Sequence, residues 1–367
     1  MRIALVSPGY PPTLGGVETV VAQAARALAR GGARVDVLAQ ERRRDLPWIV
    51  DDDGVIVHRF PATRSNAYPI APGLWQHLRR HRDRYDIVHG HNYHCVAAAG
   101  AALSACARRG GPGFVFSPHY HGGGHTAVSS LMHRFYRPLG RAAFARAGAV
   151  VCVSETEAGL VAAHFPEAAA RIAIVRNAVD SRAIAAAEPW PDQPPTVLSV
   201  GRLERSKRVD RLLAAFRLVP EPAQLLVIGA GSERGRLEGL AADLNLRGRV
   251  RFLGRIDDAD LARWLCTAQV LCSLSEHEAF GLAPAEALAA GAAVVLSDIP
   301  AHAELLPRAA GRLIGPGQDE AGIAAVLAAA LAAGRRQPAA PVGGWDEVAA
   351  TLRALYENLL ARGGGAT

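Results

Sequence analysis

The sequence predicts an α/β protein built from two doubly wound parallel sheets. Short apolar runs alternate with helical patterns along most of the chain, the signature of βαβ units. That alternation halts at a proline-rich stretch, Glu188-Pro-Trp-Pro-Asp-Gln-Pro-Pro195, and then restarts. A length of 367 residues, half of them hydrophobic, suffices for two separate cores.

The first half begins with the buried-strand pattern Arg2-Ile-Ala-Leu-Val-Ser7, the loop Pro8 to Val17, a helix from about Glu18 to Ala29, and a second strand, Arg34-Val-Asp-Val-Leu-Ala39. Gly15 and Gly16 permit close backbone approach at a helix N-terminus, which suits phosphate as well as a plain tight turn. Asp86-Ile-Val-His89, Gly113-Phe-Val-Phe-Ser117, Ala149-Val-Val-Cys-Val153 and Ile172-Ala-Ile-Val175 read as further strands. Ser154-Glu-Thr-Glu157 has the form of a capping box. The domains expected are residues 1–180, a linker at 181–195, residues 196–344, and a terminal amphipathic helix at 345–362.

In the second half, strands are expected at Thr196-Val-Leu-Ser-Val200, Gln224-Leu-Leu-Val-Ile228, Arg249-Val-Arg-Phe-Leu253, Val270-Leu-Cys-Ser273 and Ala293-Val-Val-Leu296. Gly229-Ala-Gly-Ser-Glu-Arg-Gly235 is one residue too long for a dinucleotide fingerprint and has no acidic residue at a following strand end. It reads as a βα turn, which sets aside a nicotinamide-dependent dehydrogenase.

Composition excludes several classes. The opening apolar run is too short for a secretion signal, and no stretch offers about 20 uncharged apolar residues. The expectation is a cytoplasmic protein, able to sit peripherally on the inner face of the plasma membrane. Cys95, Cys106, Cys152, Cys266 and Cys272 are scattered within apolar runs and read as buried thiols. The net charge of +7 is concentrated in residues 1–190, with 22 Arg against 14 acidic residues. Such a surplus suits a membrane surface or a phosphorylated acceptor, and equally a set of solvated arginines. Nucleic-acid motifs are absent. Of 41 basic residues only Lys207 is lysine, which asks what an ammonium does there.

The stretch Glu278-Ala-Phe-Gly-Leu-Ala-Pro-Ala-Glu286-Ala-Leu-Ala-Ala-Gly291 follows a strand and enters a helix, with Pro284 in its first turn and Gly291 at its end. Glu278 therefore belongs to the loop and Glu286 to the helix. Carboxylates can accept from paired ring hydroxyls, and the N–H groups of Phe280, Gly281 and Leu282 at a helix N-terminus suit phosphate oxygens. On spacing alone the two glutamates read equally well as solvated helix-end charges. Arg202 and Lys207, after the first strand of the second half, could grip a diphosphate from two directions, one with a planar fork and one with a compact charge. His89, His91, His94, His119, His121, His125 and His133 form a histidine-dense region. A metal site is one reading of it, although H-x-H spacing without Cys or Asp speaks for loop residues.

The Glu278-to-Glu286 segment resembles the E-x7-E signature of retaining GT-B glycosyltransferases of family 4. Arg202 with Lys207 matches that family's diphosphate pair, and Pro11-Pro-Thr-Leu-Gly-Gly-Val-Glu18 matches its glycine-rich first loop. The resemblance covers nearly the whole chain and implies two Rossmann-like domains across a cleft. Glu278 would contact the donor sugar, Glu286 the ribose, and Gly15 and Gly16 would face the donor phosphates and acceptor. His119 would position the reacting sugar, and Arg255, in the loop where the family cups the base, is a further donor-binding candidate. It implies retention without a metal or other cofactor. The donor would be a UDP- or GDP-sugar and the acceptor a hydroxyl, lipid-linked or phosphorylated. A nucleotide-sugar epimerase or hydrolase, or a binding protein without turnover, is the alternative. Arg176-Asn-Ala-Val-Asp180 departs from the family pattern at Arg176 and Ala178.

Overall fold

The computed structural model describes residues 1–13, 15–63, 69–105, 111–122, 127–306, 311–338 and 343–364, so His125 and Cys106 lie outside the described residues. The chain divides into two units, Met1–Asn177 with Trp345–Thr367, and Ala178–Gly344.

Unit 1 runs β1 (Arg2–Ser7), α1 (Gly16–Arg30), β2 (Arg34–Glu41), β3 (Ile49–Asp52), β4 (Val55–Pro61), α2 (Pro72–His81), β5 (Ile87–His91), α3 (Val96–Ala105), β6 (Gly113–Ser117), α4 (Ala127–Arg146), β7 (Ala149–Cys152), α5 (Glu155–His164) and β8 (Ile172–Ile174). The strand order is β3-β4-β2-β1-β5-β6-β7-β8. Every pair is parallel except β3 with β4. Ile3 to Val6 are buried, as a central strand covered on both faces requires. The chain leaves β1 toward one edge and returns at β5 toward the other, so the loops after these two strands meet at the switch point where open sheets bind ligands.

Asp51 and Asp52 close β3. Asp53 and Gly54 take positive φ (58° and 80°) and form the two-residue turn of a hairpin, the conformation an Asp-Gly pair favours. Asp52 Oδ2 accepts from Tyr10 Oη at 2.5 Å and Arg26 Nη2 at 2.8 Å.

Unit 2 runs α6 (Ser181–Ala186), β9 (Thr196–Val200), α7 (Val209–Phe216), β10 (Gln224–Ile228), α8 (Arg234–Asp243), β11 (Val250–Gly254), α9 (Asp258–Thr267), β12 (Val270–Ser273), α10 (Leu282–Ala289), β13 (Ala293–Ser297), α11 (Pro300–Leu305), β14 (Gly311–Ile314) and α12 (Glu320–Ala333). Its parallel sheet has the order β11-β10-β9-β12-β13-β14. Residues 181–195, read from sequence as a linker, are part of this unit. Asp180 caps α6 by accepting from Ala183 N, and Trp190 N donates to Thr267 Oγ1 at 2.8 Å while the Arg263 guanidinium lies 3.4 Å over the Trp190 ring. The Gly229-Ala-Gly231 turn exists for close packing. A Cβ on Gly229 would fall 1.9 Å from Gly201 O, and one on Gly231 2.3 Å from Leu203 O.

The chain then returns to unit 1 as α13 (Trp345–Gly364). Trp345, Ala349, Leu352 and Tyr356 are buried, a stripe at helical spacing. Tyr356 Oη hydrogen-bonds His89 Nδ1 at 2.7 Å inside the core. Leu359 lies against Gly113 and Gly148, where added Cβ atoms would come within 3.1 and 2.4 Å of it.

Candidate active site

In unit 2 the sheet order makes β9 and β12 neighbours with connections leaving in opposite directions, which brings the loops after them together at the carboxyl edge. Hydrogen bonds hold the two loops together. Glu276 N donates to Ser206 O at 2.8 Å, and Arg208, in the left-handed conformation (φ 50°), pairs with Glu276 at 3.0 Å. Between these contacts Lys207 Nζ donates to Glu278 Oε1 at 2.6 Å. The pair is only about one-fifth exposed (23% and 19%), so solvent screens it weakly. Burial alone would push the Glu278 carboxyl up, but the Lys207 ammonium beside it, with help from His302 and Ser275, holds it below the usual carboxylate range.

Gly281 caps α10 with φ 97°, a conformation that favours glycine. The N–H groups of Phe280, Gly281 and Leu282 have no acceptor among the described residues, as expected where helix geometry leaves the first donors unpaired. Behind this loop His302 is fully buried, with Nδ1 at 3.1 Å from Ser297 O and Nε2 without a hydrogen-bond partner. A backbone carbonyl only accepts, so Nδ1 carries a proton. Glu286 lies one turn into α10. Burial first, and then the carboxylates of Asp258 and Asp180, push it up to about 7.

Arg202 and Lys207 line one small cavity with Ser273 and Ser275, but the Arg202 guanidinium turns outward to Glu204 at 2.8 Å. Arg255 is exposed beyond β11 and makes no side-chain hydrogen bond or ion pair with a described residue. The structure thus joins Lys207, Glu278, Phe280, Gly281 and Leu282 in one constellation, sets Arg202 at its rim, and leaves Arg255 outside it.

In unit 1, Gly15 caps α1 in extended backbone, and a Cβ there would meet Glu18 Oε2 at 2.0 Å. The glycine makes room for a carboxylate that faces the N-terminus of the helix beginning at Gly16. His119 follows β6 in the left-handed conformation (φ 47°) and is 8% exposed. Its Nε2 lies 3.2 Å from His91 Nδ1, and His91 stacks on His89 with centroids 4.2 Å apart. Burial and the neighbouring His121 push His119 down to about 4, so it is neutral at pH 7 and acts as a hydrogen-bonding group. No three His, Cys, Asp or Glu side chains among the described residues converge as metal ligands. Cys95, Cys152 and Cys272 are buried free thiols, and Cys266 is a partly buried one.

Two family profiles match this chain: "Glycosyltransferase Family 4" over residues 14–182 and "Glycosyl transferases group 1" over residues 180–338. Phosphatidyl-myo-inositol mannosyltransferase of Mycolicibacterium smegmatis is 30% identical over 387 residues, spanning 99% of this chain and 95% of that protein. The chain belongs to glycosyltransferase family 4. D-inositol 3-phosphate glycosyltransferase of Xylanimonas cellulosilytica is 27% identical across 98% of this glycosyltransferase and 97% of its own length. Among solved structures, sucrose-phosphate synthase from Thermosynechococcus elongatus superposes with a TM-score of 0.80 at 23% identity, over 98% of this chain and 99% of that one. The fold is GT-B. No helix among the described residues is long and apolar enough to cross a membrane.

The resemblance points to Glu278 and Lys207 separately and carries no sign of their direct pairing. His302 had no sequence signal, being 24 positions from Glu278 on another βα unit. In sequence Glu157 reads as half of a capping box. Ser154 Oγ does accept from Glu157 N at 3.0 Å, but the Glu157 carboxylate accepts from Val153 N at 2.7 Å and Tyr120 N at 2.5 Å.

Proposed function

We propose that this glycosyltransferase moves a hexosyl group, with retention and without a metal ion, from a UDP- or GDP-sugar to a hydroxyl of a phosphorylated or lipid-linked acceptor. The observation that carries the reading is the Lys207–Glu278 pair set beside three unengaged backbone N–H groups at the start of α10. A diphosphate placed there takes those N–H groups and the Lys207 ammonium, while Arg202 swings in from the rim. Glu278 is thereby free to accept from sugar hydroxyls, and Glu286 from the ribose. The bond from the anomeric carbon to phosphate breaks as the acceptor oxygen attacks from the same face. The departing phosphate oxygen takes the acceptor's proton, so charge builds on the diphosphate where cationic and N–H groups are already aimed. The two relatives named for inositol-containing compounds support a phosphorylated polyol acceptor.

A thermal-shift screen of UDP- and GDP-sugars tests the donor, since a ligand at 100 times its dissociation constant stabilises by about 2.7 kcal/mol. Labelled donors with and without D-inositol 3-phosphate or a lipid extract then test transfer. Turnover that ignores acceptor would replace this reading with an epimerase or hydrolase, and binding without turnover would leave a binding protein.

Membrane docking is a second part of the proposal. It rests on α2, whose Leu74 and Leu78 are buried while Arg79 and Arg80 are exposed. Arg82 contributes less, being paired with Asp83 at 3.4 Å. Binding to anionic liposomes should fall with salt and with R79Q/R80Q. No sedimentation at low salt would remove it.

A further inference from the structure

We propose that Glu157 is the positioning residue of His119: its carboxylate clamps the peptide that follows His119 and so holds the imidazole in its left-handed, strained conformation. The importance of the clamp for turnover rests on the reading of His119 as the group facing the reacting sugar; the clamp itself does not.

His119 carries a Cβ, so φ 47° is a disfavoured conformation even for histidine, which adopts it more readily than most side chains, and the contacts around the loop hold it there. The loop is fastened on both sides of His119. On one side Tyr93 N donates to Pro118 O at 2.7 Å, tying the residue before His119 to the loop after β5. On the other, Tyr120 N donates to Glu157 Oε1 at 2.5 Å. The imidazole is then aligned by His91 at 3.2 Å.

Glu157 is unusual for a carboxylate. It is 1% exposed, and no arginine, lysine or histidine among the described residues forms an ion pair with it. Its partners are main-chain donors on two different loops, Tyr120 N after β6 and Val153 N after β7. A buried carboxylate with no cation partner among the described residues is costly, and helix capping does not require this one, because Ser154 already caps α5. Its geometry serves to tie the His119 loop to the end of β7. Burial pushes Glu157 up to about 7, with the two N–H groups pulling it back, which agrees with a group placed for its two acceptor oxygens.

The test is Glu157→Gln, which keeps the shape and leaves one acceptor oxygen for two N–H groups. Amide hydrogen exchange should show protection at Tyr120 or Val153 falling at least tenfold. Exchange in β5 should stay within twofold of wild type, and the His119 resonance in histidine-labelled protein should shift. With GDP-mannose and UDP-glucose each offered with D-inositol 3-phosphate, kcat should fall at least tenfold while KM for the donor stays within twofold. The double variant E157Q/H119Q should be no slower than H119Q alone. Protection within twofold of wild type at both amides, together with an unmoved His119 resonance, would overturn the clamp. Multiplying effects in the double variant would overturn its action through His119. If wild type transfers neither sugar, the transfer reading is what suffers; exchange still decides the clamp. Should E157Q not fold, E157D, whose shorter arm cannot reach both donors, takes its place with the same criteria.

Discussion

Glu286→Gln should make the protein more stable and a poorer nucleotide binder. In the fold, burial and the carboxylates of Asp258 and Asp180 push Glu286 up to about 7, against 4.5 for an ordinary glutamate. The folded state therefore holds this proton over a pH range in which the unfolded chain has released it, and stability falls as pH rises from about 4.5 to 7. At about 1.4 kcal/mol per pH unit, the full cost of the charge is about 3 kcal/mol, trimmed toward 2 by water that still reaches this half-buried side chain. Glutamine never ionises and escapes the cost. In paired urea melts the variant should lead by less than about 0.5 kcal/mol at pH 4.5 and by about 2–3 kcal/mol at pH 7.5. Affinity should move the other way. If the ionised carboxylate accepts from ribose hydroxyls, UDP or GDP binding should weaken by about 1.5–3 kcal/mol in E286Q, and wild-type affinity should itself fall as pH drops below 7. A stability difference that stays flat from pH 4.5 to 7.5 would refute the electrostatic argument, and equal nucleotide affinity would refute the assignment to ribose.

Lys207→Arg should fold and retain charge yet lose on the order of 100-fold in kcat/KM. A bulkier planar guanidinium in place of the ammonium 2.6 Å from Glu278 should displace the diphosphate by about 1 Å. Steady-state kinetics on the folded variant decide this, and a wild-type specificity constant would remove Lys207 from the site. Gly229→Ala should lower the urea midpoint by the equivalent of about 3 kcal/mol or more, because φ 134° and a Cβ 1.9 Å from Gly201 O both oppose it. A midpoint equal to wild type would show that the β9 and β10 turns separate freely.

The period of the apolar runs carried the architecture, because a parallel strand covered on both faces must be apolar along its length, as Leu225 to Ile228 are. Glu278 and Glu286 were placed on loop and helix by Pro284 and Gly291, which are local signals. What sequence did not reveal is non-local or depends on where a side chain turns. Lys207 and Glu278 are 71 positions apart and meet only because β9 and β12 are neighbours. Ser154 and Glu157 have capping-box spacing, yet nothing local says that the carboxylate will pass over its own N-cap amide for Val153 and Tyr120. The Asp53-Gly54 hairpin and the α6 cap at Asp180 are local signals, the second masked by the prolines nearby, which read as linker.

The bond from Tyr356 to His89 bears on how the chain is made. The first sheet is finished long before the helix that seals it leaves the ribosome, because all of residues 178–344 must be translated in between. Until then Gly113 and Gly148 lack the leucine that covers them, and the buried His89 lacks its phenol partner. The later-encoded unit can close its own sheet first, leaving the earlier one partly open until α13 packs on it. Biogenesis of this enzyme thus runs out of sequence order, with its amino-terminal half the last to be completed.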